Sequence, residues 1–349
     1  MADDQRVSLF DDSEDGSVST DQTEPRRKRL RDRWLLLSVV GLLVLLLGTA
    51  AGVVGWYGKS IYDALDSVDR QPSMLPSQNR PSPVATPEGQ DHAPVNLVLM
   101  GTDQRAGETA RGRSDVLMIL HIPADRKKVY IISVPRDYWV SIPGRGTAKI
   151  NAAYSWGGPA LTLATLESLL DVPMDHVALI NFEGFVEVID TLGGIAVYNR
   201  HDSTIDGTHF PVGEVELDGQ TALKFVRNRY GLPNGDLDRA ERQRDVIKAV
   251  IEKLVSADVL TDPVRFNEAI VELGSQFTVD DTFTSQEMVD LGLSMRITGG
   301  SDVVSLQAPT AGFGTSSDGQ SYVAVDTDGL ADLAEALRND TMDAFAGSQ

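Results

Sequence analysis

Short apolar runs alternate with amphipathic stretches along most of the chain, and this alternation predicts a layered α/β domain. Three runs are rich in β-branched residues and bounded by turn residues, as buried strands are, and they cover residues 95–100, 116–122 and 129–134. Further strands are predicted at residues 195–198, 303–307 and 322–325, and helices at residues 160–170, 182–192, 239–255, 285–295 and 329–338. Helices interspersed with apolar strands indicate a layered fold with a buried mixed sheet.

The segment at residues 239–255 carries the clearest helical pattern in the chain. Its apolar residues recur at helical spacing and form one stripe, which consists of Val246, Ile247, Val250, Ile251 and Leu254. Asp238 precedes this segment and belongs to the residue types that cap helix N-termini well. We therefore expect a long amphipathic helix with Asp238 as its N-cap.

An uncharged, strongly apolar segment at residues 34–57 predicts a transmembrane helix. About 20 apolar residues suffice to cross a bilayer as a helix. A cleaved signal peptide is the alternative, but its apolar core would be shorter, and a polar tail precedes the segment here. Trp34, Trp56 and Tyr57 lie at its two ends, as in the aromatic belts of membrane proteins.

Charge and composition divide the rest of the chain into a tail, a linker, a folded domain and a short C-terminus. The basic run at residues 26–31 precedes the span, so the N-terminus is predicted to be cytoplasmic and everything after the span extracytoplasmic. Residues 1–33 are expected to form a disordered tail that ends in this run, and residues 58–94 a proline-rich linker. The folded domain is assigned to residues 95–340 and a flexible C-terminus to residues 341–349. The chain is thus predicted to be a single-pass protein of the cell membrane.

Composition narrows the chemistry. The net charge is -20 and the pI about 4.6, so nucleic acid is not an expected partner. Cysteine is absent, which excludes a thiolate nucleophile and a cysteine-bound zinc. The five histidines show no metal-binding pair. A metal, where present, is therefore expected to be a hard ion on oxygen ligands.

Acidic and basic residues cluster where predicted strands begin and end. Asp103 follows the first strand and Asp115 begins the second, with Arg105 and Arg113 between them. Strand ends of open α/β sheets are common ligand sites, and two carboxylates there can share one Mg²⁺. An aspartate at a strand end is also often a turn or cap residue, which is the alternative for each of them taken singly.

Arginines follow the third strand and recur later in the chain. Arg136 and Asp137 come after the third strand, either as part of a ligand site or as an ion pair within a turn. Arg227 and Arg229 are two residues apart, which places both guanidinium groups on one face of an extended segment. Guanidinium groups gathered in an otherwise acidic chain suit a pyrophosphate ligand.

The predicted helix at residues 239–255 begins with further arginines. Arg239, Arg242 and Gln243 share a face by helical spacing, seven or fewer residues after Asp236. Arginine in a first turn opposes the helix dipole, so an anionic ligand explains it better than a solvated charged face does.

Taken together, these motifs resemble the LytR-CpsA-Psr family over about residues 94–256. The motifs that carry the resemblance, in order, are Gly101-Thr102-Asp103, Gly112-Arg113-Ser114-Asp115, Pro135-Arg136-Asp137, Lys149-Ile150-Asn151-Ala152-Ala153-Tyr154, Gly157-Gly158-Pro159, Asn181-Phe182-Glu183-Gly184-Phe185, Leu192-Gly193-Gly194, Leu217-Asp218-Gly219-Gln220-Thr221-Ala222, and Arg227 and Arg229 followed by Arg242-Gln243. The resemblance implies an α/β/α sandwich around a mixed sheet, with an apolar tunnel for a polyprenyl tail.

The resemblance also implies a role for each motif residue. Asp103 and Asp115 would coordinate Mg²⁺. Pyrophosphate would be held by the arginines of the motifs, namely Arg113, Arg136, Arg227 and Arg229, and at less secure positions Arg105, Arg239 and Arg242. Asp236 and Gln243 would lie at the reacting end, with Arg136 also counted as catalytic. Residues 257–349 are expected to continue the fold or to form a short appendage.

The function implied is transfer of a glycopolymer from a polyprenyl-pyrophosphate carrier to peptidoglycan at the membrane surface. A peptidoglycan hydroxyl would attack the sugar-linked phosphorus and lipid monophosphate would leave, with Asp236 orienting or deprotonating the hydroxyl. Attack by water would give pyrophosphatase activity as a side reaction. The alternative is a membrane-anchored attenuator or scaffold that binds a lipid-linked glycan without catalysis. Retention of the acidic and basic motif residues favours the enzyme.

Overall fold

A seven-stranded mixed sheet forms the centre of the computed structural model, which describes residues 58–59, 62, 65–66, 68–102, 114–228, 231–256 and 263–349. The strands, in chain order, are β1 (Asp69–Gln71), β2 (Val95–Thr102), β3 (Ser114–Ile122), β4 (Val129–Ser133), β5 (Trp139–Ile142), β6 (Gly146–Lys149), β7 (His176–Asn181), β8 (Ile195–Asn199), β9 (Ser203–Ile205), β10 (Thr208–Phe210), β11 (Gly213–Leu217), β12 (Phe277–Asp280), β13 (Val303–Gln307), β14 (Thr310–Thr315) and β15 (Ser321–Val325).

The described helices surround this sheet. In chain order they are α1 (Asn151–Leu170), α2 (Phe182–Thr191), α3 (Gly219–Arg227), α4 (Asp236–Leu254), α5 (Pro263–Gln276), α6 (Ser285–Ser294), α7 (Thr327–Arg338) and α8 (Met342–Gly347). The six strands and five helices expected from the sequence are all present, with ends that differ by a few residues, apart from α1, which begins nine residues earlier than expected.

Strand order in the central sheet is β1-β12-β7-β2-β3-β4-β13. β2 is antiparallel to β3 and parallel to β7, while β4 is antiparallel to β3 and parallel to β13. The sheet is therefore mixed, as expected. Four two-stranded pairs stand outside it, including the hairpins β5–β6 and β14–β15.

Both faces of the sheet are covered, because alternate residues of a central strand point to opposite sides. Val98 and Met100 of β2 belong to a core shared with α1, α7 and α8. Leu99 of β2 and Met118 of β3 belong to a second core, against which Ile247 of α4 packs. The expected α/β/α sandwich is therefore present.

Helix α4 packs on two sides, so its apolar stripe serves two cores. Ile247 and Ile251 face the central sheet, whereas Val246 and Val250 pack in a third core formed with β8, β11 and α3. The helix begins at Asp236, and its N-cap is Gly235, whose φ of 57° lies in the left-handed region that glycine tolerates. The expected cap, Asp238, instead lies within the first turn and accepts a hydrogen bond from the backbone N–H of Asn234 at 2.7 Å.

Part of the segment expected to be a linker belongs to the folded domain. β1 pairs in parallel with β12 at the edge of the sheet. Arg70 donates from Nε to the carbonyl of Phe283 at 3.1 Å, and Met74 is 3 % exposed. Arg80 forms an ion pair with Glu167 at 2.8 Å. A strand of three residues is too short to show alternation in sequence, and the prolines around it dominate the composition.

The C-terminal residues are also ordered in the fold, which corrects the expected flexible end at residues 341–349. They form helix α8, whose Met342 is 1 % exposed and whose Phe345 is 7 % exposed. Tyr130 of β4 donates from its hydroxyl to Asp343 at 2.6 Å. Residues 263–349 supply α5 to α8 and β12 to β15, so they continue the main fold.

No helix among the described residues is long and apolar enough to cross a membrane. The predicted span at residues 34–57, like the predicted tail at residues 1–33, lies outside the described part of the chain.

Candidate functional site

Two aspartates and an arginine meet at one end of the inner strands β3 and β4. β4 runs antiparallel to β3, so the residues that follow β4 lie beside the first residues of β3. Arg136 donates from Nη1 to Oδ1 of Asp115 at 2.6 Å. Its Nη2 lies 3.2 Å from Oδ1 of Asp236, the first residue of α4. Arg136 therefore joins three segments that are far apart in the chain.

A second guanidinium group contacts the same carboxylate. Nη2 of Arg239, one helical turn further along α4, lies 2.7 Å from Oδ1 of Asp236. The side chains of Arg136 and Arg239 are 16 % and 7 % exposed, so this pair of charges is largely removed from water. Asp236 Oδ1 is engaged by both guanidinium groups, whereas Arg136 Nε is buried without a hydrogen-bond partner among the described residues.

The carboxylates around Arg136 keep it charged. Burial by itself lowers the pKa of Arg136, but Asp236, Asp115 and Asp137 outweigh burial, and the pKa lies above its usual value. A charged guanidinium with an unsatisfied buried N–H is a suitable partner for a phosphate oxygen.

Next to this cluster lies an ion pair between two residues of the sequence motifs, Asp137 and Lys149. Asp137 follows Arg136 directly, and its Oδ1 lies 3.2 Å from Nζ of Lys149, the last residue of β6. Asp137 Oδ2 lies 3.9 Å from Arg136 Nε. The spacing of Arg136 and Asp137 after a strand was the available signal, but it could not show which lysine would pair.

An apolar cavity of about 50 Å³ opens between the sheet and helices α2, α3 and α4. It is lined by Leu99, Gly101, Val116, Met118, Ile180, Asn181, Phe182, Phe185, Leu223, Val226, Gln243 and Ile247. Its lining is almost wholly carbon, so it suits a hydrocarbon chain. Strands β2, β3 and β7 contribute residues to the cavity, and β3 also carries Asp115.

Two residues expected in the site lie at this cavity. Gln243 lines it and donates from Nε2 to the carbonyl of Val226 at 3.2 Å. Arg227 is the last residue of helix α3 rather than part of an extended segment, and its guanidinium lies 4.5 Å above the ring of Phe182. Phe182 is itself a lining residue, so Arg227 marks an edge of the apolar cavity.

Arg242 is held elsewhere, although it shares helix α4 with Arg239. It is 3 % exposed, and its Nη2 donates to Asn199 Oδ1 at 3.1 Å and to Ser203 Oγ at 2.9 Å. Its guanidinium also lies 4.3 Å from the ring centroid of Phe225. Residues three apart on a helix differ by about 60° in direction, which is enough to send Arg242 toward β8 and β9. The hydrogen bonds engage Nη2, whereas Nε and Nη1 are buried without a hydrogen-bond partner among the described residues.

The remaining expected site residues are Asp103, Arg105, Arg113 and Arg229, and all four lie outside the described residues. Of the expected metal ligands, Asp115 is described, and its carboxylate is 31 % exposed. Carboxylate oxygens of this kind fit a hard divalent ion, and Asp236 lies against the same arginine as Asp115.

An α/β/α domain with clustered guanidinium and carboxylate groups beside an apolar cavity has the features of a protein that binds an amphiphile with an anionic head group. Comparison with known proteins shows the family to which the chain belongs. The LytR_cpsA_psr family model matches residues 61–339, and the chain belongs to the LytR-CpsA-Psr family.

Individual relatives extend the comparison. The polyisoprenyl-teichoic acid--peptidoglycan teichoic acid transferase TagU of Bacillus licheniformis is 31 % identical over 320 residues, which cover 91 % of this chain and 98 % of that protein. The crystal structure of B. subtilis TagV is 27 % identical with a TM-score of 0.61, and the match covers 72 % of this chain and 98 % of that one. A structure of TagT bound to LIIa-WTA is 26 % identical with a TM-score of 0.60, over 77 % and 98 % of the two chains.

Proposed function

We propose that this protein transfers a glycopolymer from a polyprenyl-pyrophosphate carrier to a hydroxyl group of peptidoglycan. The observation that carries the proposal is the position of the Arg136 cluster at the edge of the sheet that also bears the apolar cavity. An amphiphile with a pyrophosphate head group needs a cationic site for the head group and an apolar cavity for the tail, next to each other. The names of the related transferases, which act on polyisoprenyl-linked teichoic acid and peptidoglycan, support the same substrate class.

The apolar cavity would bind the lipid part of the substrate. A volume of about 50 Å³ holds only part of a prenyl chain, so the cavity would have to widen for the lipid to enter. Phe182 and Phe185 of α2 line the cavity and would contact the lipid. Arg227, stacked on Phe182, would meet the first phosphate where the tail ends.

The cluster supplies charge neutralisation, which is the main requirement of phosphoryl transfer. Arg136 and Arg239 would bind oxygens of the pyrophosphate, with Asp236 released from one or both of its present contacts. Arg113 and Arg229 are proposed to join them. Mg²⁺ held by Asp103 and Asp115 would neutralise charge that develops on the phosphates.

In the reaction, the oxygen of the acceptor hydroxyl forms a bond to the sugar-linked phosphorus, and the bond from that phosphorus to the bridging oxygen breaks. Lipid monophosphate leaves with the bridging oxygen, and the hydroxyl proton passes to the carboxylate of Asp236. Gln243, one turn of α4 beyond Arg239, would orient groups at the reacting end. Water in place of the acceptor would give pyrophosphate hydrolysis as a side reaction.

Release of lipid monophosphate by the full-length protein in nanodiscs tests this proposal. Asp236→Asn should lower kcat by about 10²- to 10⁴-fold and leave the Mg²⁺ midpoint unchanged, because it keeps the shape but removes the base. Asp115→Asn should raise the Mg²⁺ midpoint, and higher Mg²⁺ should restore part of the rate. Asp328→Asn, on the exposed side of α7, is the matched control and should behave as wild type.

Two outcomes contradict parts of the proposal. A strong shift of the Mg²⁺ midpoint in Asp236→Asn, without one in Asp115→Asn, would make Asp236 the metal ligand. Wild-type protein that binds the lipid-linked glycan but releases no lipid monophosphate at any Mg²⁺ concentration would identify a scaffold rather than a transferase.

A further inference from the structure

Two hairpins meet immediately beside Arg136. The backbone N–H of Val323 in β15 donates to the carbonyl of Asp137 at 2.8 Å, and Tyr138 forms an isolated parallel bridge with Val323. The hairpin β14–β15 is therefore docked on the segment that leads from Arg136 into β5. No role in the site was assigned to this hairpin from the sequence.

At this junction the hairpins hold a stacked aromatic pair. The rings of Trp139 in β5 and Tyr322 in β15 lie 5.0 Å apart with an interplanar angle of 25°, and both residues are partly exposed. Tyr322 lies opposite Gly314 of β14, where an added Cβ would stand 2.4 Å from Cζ of the tyrosine ring. The glycine thus lets the ring lie against the strand backbone and fixes its orientation.

Charged groups stand next to this aromatic pair. Trp139 is the cross-strand partner of Lys149 in the hairpin β5–β6, and Lys149 forms the ion pair with Asp137 described above. A fixed, partly exposed aromatic surface with a few polar groups at its border is the usual composition of a site for an amphipathic ring such as a pyranose.

The lipid cavity and the two hairpins belong to opposite faces of the sheet. The cavity residues Leu99 and Met118 belong to the core on the α4 face. The hairpin residues Val140 and Val323 belong to the core on the other face, with α1 and α7. Arg136, which leads into β5, contacts Asp115 of β3 and Asp236 at the start of α4.

The position of the aromatic pair relative to the cavity indicates whether it would contact a sugar of the donor or of the acceptor. In phosphoryl transfer the attacking and leaving oxygens lie roughly in line on opposite sides of the phosphorus. The leaving group is the lipid phosphate, whose tail would occupy the cavity, so the attacking hydroxyl must approach from the side away from the cavity. We propose that Trp139 and Tyr322 bind a sugar ring of the peptidoglycan acceptor and so position its hydroxyl. This inference rests on the proposed function.

Kinetics with full-length protein in nanodiscs test the inference, with lipid-pyrophosphate-linked glycan as donor and a soluble peptidoglycan glycan fragment as acceptor. Trp139→Ala and Tyr322→Ala should raise the KM for the acceptor about five- to tenfold, with the KM for the donor and the rate of hydrolysis by water unchanged. Tyr322→Phe keeps the ring and should restore the wild-type KM. Gly314→Val displaces the Tyr322 ring and should act like Tyr322→Ala.

Tyr198→Ala is the matched control, since Tyr198 is 61 % exposed on β8. Direct titration of the acceptor fragment, followed by nuclear magnetic resonance, should show weaker binding to Trp139→Ala than to the control. An unchanged acceptor KM in both alanine variants would overturn the inference. A rise in the KM for the donor instead would assign the pair to the glycopolymer sugar and overturn it as stated. Failure of the wild-type protein to transfer at all would contradict the proposed function. If the wild-type protein transfers and both alanine variants keep its acceptor KM, the inference alone is contradicted.

Discussion

At the scale of single residues, Arg136 holds the cluster together. It bridges Asp115 and Asp236, which come from β3 and α4, and only a planar guanidinium reaches both at once. Arg136→Ala should lower kcat/KM for lipid-phosphate release by about 30-fold or more, equivalent to about 2 kcal/mol. Arg136→Lys should recover little of this loss, because a lysine presents a point charge in place of a fork.

Arg338→Ala is the control for this substitution. Arg338 pairs with Asp171, whose side chain is 81 % exposed, and such surface pairs contribute about 0–1 kcal/mol. It should therefore leave kcat/KM unchanged. Full activity of Arg136→Lys would show that the bridging geometry is not needed for the reaction.

The same scale shows what sequence could predict about the site. Asp115 and Arg136 were singled out because they stand at strand ends, where ligands gather, and Asp236 because of the family resemblance; the structure brings the three together. Arg242 was grouped with Arg239 on helical spacing, yet its guanidinium bonds to Asn199 and Ser203. Spacing along one helix cannot reveal which neighbouring segment will supply the hydrogen-bond acceptors.

At the scale of elements, the apolar strands in the middle of the sheet were predictable from sequence, whereas several short strands were not. β2 to β4 have near-continuous apolar sequences because both faces of the sheet are covered. β1 and β12 have three and four residues, and β14 contains two glycines, so none of them shows a clear period. Their positions follow from contacts between residues distant in the chain, which a local pattern does not encode.

Helix α8 lies in a segment that the sequence predicts to be flexible, yet two of its side chains are buried. Met342 is 1 % exposed within the core shared with α1 and α7, so Met342→Ala should reduce the free energy of unfolding by about 2–5 kcal/mol. Leu293→Ala, at a residue that is 79 % exposed, should change it by less than about 0.5 kcal/mol. Chemical denaturation of the two variants measures the difference. Equal midpoints would show that α8 does not stabilise the domain.

At the scale of the whole molecule, the proposed chemistry requires the domain to meet both a membrane lipid and peptidoglycan. The basic run at residues 26–31 precedes the apolar segment at residues 34–57, and this order predicts a cytoplasmic N-terminus. The Arg136 cluster, on the C-terminal side of that segment, would then face the cell wall.

Protease treatment of intact, wall-stripped cells tests this topology in the full-length protein with a tag at each end. The C-terminal tag should disappear while the N-terminal tag survives until detergent opens the membrane, because the two ends lie on opposite sides of the bilayer. The opposite pattern would reverse the orientation. Loss of residues 1–57 before protease is added, with the domain released into the medium, would show that the apolar segment is a cleaved signal peptide. The reversed orientation would put the domain on the opposite side of the membrane from peptidoglycan, and cleavage would leave it without an anchor, so either result would also contradict a membrane-anchored transferase of the cell wall.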